Sequence, residues 1–364
     1  MIGISSMGSE LVVLATRKLC QLACSLVIIS LAACTAGQPG AGDEDGDPEA
    51  GDTTVTIHRD DWGVPHIYAQ REAMGFYGLG YAQAEDQLES FLGGVMLARG
   101  MLASLQGESR LALDIELRRW RHAQEGDAAL SRLEPHVRKN HEYFLAGVRR
   151  YMSDHPDQVP AWAPDFDVTD LLAISRAIFW LGYAAVEGPA ECGAGGDLQA
   201  SISQLASGAA SGASNGWVIA PRRSSSGTTL LLADPHVDMQ NPIYYEYRIH
   251  AGALDSAGFA MGPLLWQAHN GKVAWAMTTG SPDMWDCYEV EVDPENPTRY
   301  LFDGEWQDML EVEETFAVRD GETVTKVFEY TRHNGVLSPV VARRGNLAYA
   351  VSTSQMHDAG LLDN

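Results

Sequence analysis

The sequence predicts an α+β chain, rich in helix through its first half and in strand through its second. Three observations carry this. Apolar residues recur at helical spacing between 71 and 186, short β-branched and aromatic runs fill the stretch beyond 214, and between them lies a segment nearly devoid of large apolar side chains. The 364 residues, 45% of them hydrophobic, provide material for one large domain or two ordinary ones. A formal net charge of -24 with no cluster of Lys and Arg argues against nucleic acid, whose phosphates need concentrated positive charge.

Arg17 and Lys18 precede "LCQLACSLVIISLAAC" (19–34), a charged flank and an apolar run too short for a comfortable membrane span. This pattern is an export signal covering 1–33, with Met7 an alternative start. Its end, Leu31-Ala32-Ala33-Cys34, has the form of a bacterial lipobox, so Cys34 is expected to carry lipid and anchor the protein to a membrane, facing the periplasm or cell exterior. An ordinary signal peptide with an incidental cysteine is the alternative, and it too implies export. Residues 34–53 follow as a tether, since "GDEDGDPEAGD" sets six carboxylates among Gly and Pro and cannot bury enough apolar surface to order itself.

The helix-rich region is placed at 54–187. It opens with a strand in "TVTIHRDDWGVPHIYA", where Val55 and Ile57 share one face. Between 71 and 108 the spacing of Leu88, Phe91, Val95, Leu97 and Leu102 predicts one or two helices. Further helices are expected over about 127–153 and over 170–186, the latter with Thr169 as N-cap. Residues 188–213 have the Gly, Ala and Ser composition of a linker. From 214 to 364 the runs "WVIA", "TTLLLA", "YYEYRI", "GKVAWAMTT", "YEVEVD", "RYLF" and "NLAYAVS" read as short strands, the first of them as a buried one. Of five cysteines, Cys20 and Cys24 leave with the signal and Cys34 takes lipid. Cys192 and Cys287 remain, either paired or as two buried thiols.

Ser214 stands where linker becomes strand, and three readings compete for it. It is a loop serine, or the centre of Gly212-Ala213-Ser214-Asn215-Gly216, which fits the G-x-S-x-G elbow of conventional serine hydrolases, or the first residue after a cut. The elbow requires a strand in and a helix out, the reverse of the order here. Cleavage of the Ala213–Ser214 bond would give Ser214 an α-amine of pKa about 7.7–8.0, suited to act as base for its own hydroxyl. A linker on the amino side is what such processing needs.

"SNGW" from Ser214, "GTTLLLADPHVD" (227–238), "NPIYYEYRIH" (241–250) and "QAHNGKVAWAMTTGSPDMWDCYEVEVDPENPTRYLFDGEW" (267–306), with "HRDDWGVPHIYA" and "YGLGYAQAEDQLESF" upstream, together resemble the penicillin acylase family from about residue 54 onward. The family consists of self-cleaving N-terminal-nucleophile hydrolases. The resemblance implies a four-layer αββα sandwich, incomplete here, and a heterodimer of α and β chains from one precursor. It implies a small-molecule acyl-amide substrate: a β-lactam side chain, an acyl-homoserine lactone or an acylated peptide. It assigns Ser214 as nucleophile, His236 as a group orienting the amine, and the Thr279 backbone N–H as an oxyanion donor. A histidine that only satisfies its neighbours is the alternative for His236. Asp283, Asp286 and the Trp285 carbonyl match a calcium site, with Asp197 as third carboxylate and Glu191 or Glu187 behind it. If Asp197 and Asp286 share an ion, Cys192 and Cys287 become neighbours and a disulfide between them follows as a hypothesis. Arg59, Pro65, His66, Glu85 and Asp86 are family-like but architectural, Asp86 pairing a nearby arginine. The family's second oxyanion donor is an asparagine downstream of Asn364, so a C-terminally truncated precursor is expected. A lipid-anchored, non-catalytic relative that binds or scaffolds is the competing reading.

Overall fold

A tight turn begins the fold. Val55–Arg59 (β1) and Pro65–Ala69 (β2) pair antiparallel, and Asp60 closes the hairpin by accepting from the backbone N–H groups of Trp62 at 2.9 Å and Val64 at 3.0 Å. Gly63 sits at φ 84°, a backbone geometry that favours glycine. The computed structural model describes residues 53–181, 192, 214–236, 244–278, 285–333 and 335–353.

β2 runs parallel to Tyr245–Ala251 (β5), which continues antiparallel through Leu254–Met261 (β6), Leu264–His269 (β7) and Ala274–Trp275 (β8), giving a six-stranded sheet ordered β1-β2-β5-β6-β7-β8. Residues 182 positions apart in sequence thus lie side by side where Ile67 meets Ile249 in shared register; a peptide cut between them would leave the ladder intact. One face of the sheet is apolar, with Ile67, Tyr247 and Ile249 fully buried. Against it lies Glu72–Ala98 (α1), and glycines set the closeness of the contact. A Cβ on Gly75 would come 2.7 Å from Ala251 Cβ, and one on Gly78 would come 2.8 Å from Val55 Cγ1. Gly80 in α1 and Gly147 in Pro135–Asp154 (α5) let the two helix backbones touch, because a side chain on either would overlap a carbonyl oxygen of the other helix, Phe144 and Tyr77 respectively.

Between these helices the chain forms Ala103–Gln106 (α2), Leu111–Arg119 (α3) and His122–Leu130 (α4), and Val168–Phe179 (α6) follows α5. The helical pattern expected over about 127–153 is divided between α4 and α5, because the chain turns at 131–134 and Pro135 starts a new helix at its first position. Thr169 is not the N-cap of α6. Asp167 is: its carboxylate accepts from Thr169 N at 2.8 Å, and Asp170 reaches back to the Asp167 N–H at 2.9 Å, completing a capping box two residues earlier than the sequence suggests.

The second sheet is antiparallel throughout. Its order is Leu310–Phe316 (β12), Val324–His333 (β13), Val336–Arg344 (β14), Leu347–Thr353 (β15) and Trp285–Glu291 (β9). A hairpin of Arg299–Phe302 (β10) and Glu305–Asp308 (β11) packs beside it, burying Tyr300 with Val290, Met309 and Val340. Helix α3 binds this sheet through Arg118, paired with Glu314 at 3.1 Å, and through the Arg119 carbonyl, which accepts from the Tyr330 hydroxyl at 2.9 Å. Ser214–Ile219 (β3) and Leu230–Pro235 (β4) form a separate two-stranded ribbon. The division into helix-rich and strand-rich halves agrees with the α+β class.

Candidate active site on the Ser214 hairpin

Ser214 is the first residue of β3 and stands opposite Pro235, with Asn215 opposite Asp234. His236 follows Pro235, so the ladder brings the serine and the histidine to the same end of the ribbon. A strand runs out of Ser214, where a nucleophile elbow requires a helix, and the elbow reading is set aside. Flanking Ser214 and His236 are Asn215 and Asp234, two side chains to which the sequence alone assigns no role. Asn215 Nδ2 lies 3.2 Å from Asp234 Oδ2 and 3.1 Å from His236 Nε2, and His236 Nε2 lies 3.1 Å from Asp234 Oδ2. Two proton arrangements satisfy these atoms. When Nε2 carries a lone pair, the Asn215 amide donates to it; when Nε2 is protonated, it donates to Asp234. The Asn215 hydrogen bond, with the His236 contact behind it, holds the Asp234 carboxyl below the usual carboxylate range. The available signal was short-range: Asn follows Ser214 directly, and Asp-Pro-His spaces Asp234 and His236 by two.

The strand leaving Ser214 is not buried. Trp217, Val218 and Ile219 are 61%, 69% and 42% exposed, and Leu232 opposite Trp217 is 55% exposed. The apolar run predicts burial, but among the described residues β3 stays exposed from Asn215 to Ile219 and β4 is half-buried or exposed throughout. A Cβ on Gly216 would meet Ala276, just past β8, at 3.6 Å.

Thr279, Asp283 and Asp197 lie outside the described residues, as do Glu187, Glu191, Ala213 and Cys34. Trp285 and Asp286 open β9, opposite Thr353 and Ser352, and the Trp285 ring meets Trp120 of the helical half edge-on at 5.7 Å. Asp286 is exposed and has no ion-pair partner among the described residues. Cys287 is bonded to Cys192 with their Cα atoms 5.5 Å apart, and Cys192 is buried with Trp120, Trp180 and Val351. The disulfide therefore ties Cys192 to the strand that carries Asp286. Among the described residues no group of three or more His, Cys, Asp or Glu is placed to hold a metal.

Arg59 and Asp86 meet as the sequence suggests. Arg59 donates to Asp86 at 2.9 Å and to Glu85 at 2.5 Å, and the Tyr245 hydroxyl donates to Asp86 at 2.5 Å. Burial together with the Asp86 carboxylate pushes the Tyr245 hydroxyl far up, so it stays a donor. This cluster ties β1, α1 and β5 together and has the marks of architecture.

Residues 54–363 match the family model described as penicillin amidase. The acyl-homoserine lactone acylase QuiP of Pseudomonas aeruginosa is 28% identical over 357 residues, covering 80% of this chain and 41% of that protein. The acyl-homoserine lactone acylase PvdQ of Pseudomonas fluorescens is 27% identical over 328 residues, covering 81% and 42%. The chain thus spans less than half the length of these curated relatives. Among solved structures, a thermostable penicillin G acylase from Alcaligenes faecalis in orthorhombic form aligns with 38% of this chain and 25% of its own at 24% identity, with a TM-score of 0.32.

Proposed function

The chain belongs to the penicillin amidase family, and from that premise we propose that it is the part of an exported, self-processing amidohydrolase that carries the nucleophile. Its substrate is an N-acyl amide, of the acyl-homoserine lactone or β-lactam side-chain type. The observation that carries this reading is the position of Ser214 as the first residue of a strand, with Asp234 and His236 beside it on the partner strand.

The chemistry follows from that position. After the Ala213–Ser214 bond is cut, the new α-amine takes the proton of the Ser214 hydroxyl as Oγ attacks the substrate carbonyl. The amine then returns the proton to the leaving nitrogen, and water frees the acid from the acyl-enzyme by the same relay. His236, held by Asp234 and Asn215, orients the amine. The Thr279 backbone N–H is the proposed donor to the tetrahedral oxyanion, whose charge develops only in the transition state. A calcium ion held by Asp283, Asp286, the Trp285 carbonyl and Asp197 would pin the end of the helical chain to β9. The mature form is then an α/β heterodimer of αββα architecture, anchored through lipid on Cys34.

The test is amino-terminal sequencing of the complete gene product beside its Ser214→Ala variant, with release of free amine from N-acyl-homoserine lactones as the second readout. A fresh terminus at Ser214 and deacylation, both lost in the variant, are expected. Full deacylation by a chain in which residues 213 and 214 remain joined overturns the mechanism. An uncut chain that binds acyl amides without turnover supports the scaffold reading.

A further inference from the structure

The cysteine pair has a topology that matters beyond stability. The two residues are 95 positions apart, and the proposed cleavage point between 213 and 214 lies inside the loop they close. Cys192 lies between the helical region and Ser214, and Cys287 is in β9 of the second sheet. We propose that this disulfide becomes an interchain bond on processing, so that the mature molecule is a covalently linked heterodimer; the inference rests on the self-cleavage reading above.

The balance is simple. Hydrolysis of the Ala213–Ser214 amide adds one water and moves no electrons, so the S–S bond is untouched. Before the cut the bond closes a loop within one chain. Afterwards it is the covalent path between two chains. All of 193–213 lies between Cys192 and the new terminus, so this segment can be trimmed away without releasing either chain.

The surroundings suit a permanent link. Cys192 is 2% exposed in a cluster that mixes both halves: Met96, Leu113, Leu117, Trp120 and Trp180 from helices, Val351 from β15, with Trp285 packed against them. Arg118 and Arg119 of α3 reach Glu314, Thr315 and Val340 of the second sheet within 3.1 Å. The noncovalent contact between the halves is thus already built around the bond. A covalent tether makes their reassociation intramolecular, so dilution no longer separates them.

Denaturing electrophoresis of the full gene product, with free thiols blocked beforehand, tests this with and without dithiothreitol. The reagent supplies two electrons and two protons to the bond and is oxidised to its cyclic disulfide. The expected pattern is one band without reductant and two with it, the smaller number becoming two in both lanes for Cys287→Ser. Two bands without reductant in the parent protein overturn the inference while leaving self-cleavage intact. A single band in both lanes, with Ser214 internal, overturns self-cleavage instead. The bond is then tested in a Ser214→Ala chain whose 193–213 segment carries a site-specific protease sequence. After digestion the halves must stay joined until dithiothreitol is added; halves that part without it refute the link.

Discussion

Gly80 offers the sharpest test of the helical framework, because α1 carries its own control. A methyl group on Gly80 would lie 2.8 Å from the Phe144 carbonyl carbon and closer still to its oxygen, whereas Gly93 in the same helix has nothing within 4 Å of the corresponding position. Ordinary contact begins near 3.4 Å, so Gly80→Ala forces α1 and α5 apart by at least several tenths of an ångström. Phe144 is fully buried and the obstacle is backbone, so no rotamer change relieves it. Both alanines gain about 0.5–1 kcal/mol from helix propensity. Overpacking costs about 1–3 kcal/mol where side chains can adjust, and backbone contact places Gly80→Ala at or above the upper end. We expect Gly93→Ala to be stabilised by up to about 1 kcal/mol and Gly80→Ala to lose about 2 kcal/mol or more. Urea unfolding followed by far-ultraviolet circular dichroism, with unchanged m, reads the difference. Equal midpoints for the two variants would refute the close-approach argument.

Three further outcomes follow. Asp234→Asn removes the carboxylate that receives the His236 proton; self-cleavage should persist, kcat for deacylation should fall with KM little changed, and the acid limb of the pH profile should move. An unmoved profile removes Asp234 from the positioning of His236. Burial depresses the His122 imidazole from 6.5 to about 3, so its contribution to stability is complete above pH 6.5 and is lost as pH falls toward 3. Urea midpoints should drop through that window and the slope should flatten in His122→Leu; an unchanged slope rejects the assignment. Asp86→Asn takes the charge from a carboxylate that receives both Arg59 and Tyr245, and should cost about 1.5–3 kcal/mol in thermal or urea unfolding, with Tyr245→Phe costing less.

Helical periodicity was legible wherever one face of a helix meets a core, as in α1, but not in α3, where Asp114 and Glu116 are buried alongside Leu113 and Leu117. Asp114 turns inward to accept from Leu102 N at 3.0 Å and from Ala103 N, a purpose no apolar pattern encodes. Strands β12 and β13 escaped for a related reason: Glu311, Glu313 and Glu329 place charge on the face opposite Phe328 and Tyr330, so these strands read as solvated chain. The end of α6 shows how local chemistry shifts a boundary, since Asp167 and Asp170 cap each other across Thr169. At the site, the serine and the histidine were visible as single residues. The Asp234–Asn215 pairing depends on the register of a hairpin whose loop length had to be seen.

The bare ribbon has a practical consequence. A pair of strands that shows tryptophan, valine and leucine to water, and whose edges are unpaired among the described residues, is a template for sticking to its own kind. In the laboratory this chain would be expected to clump as it is concentrated, starting from Trp217 and its neighbours, and to be spared by dilute storage or mild detergent.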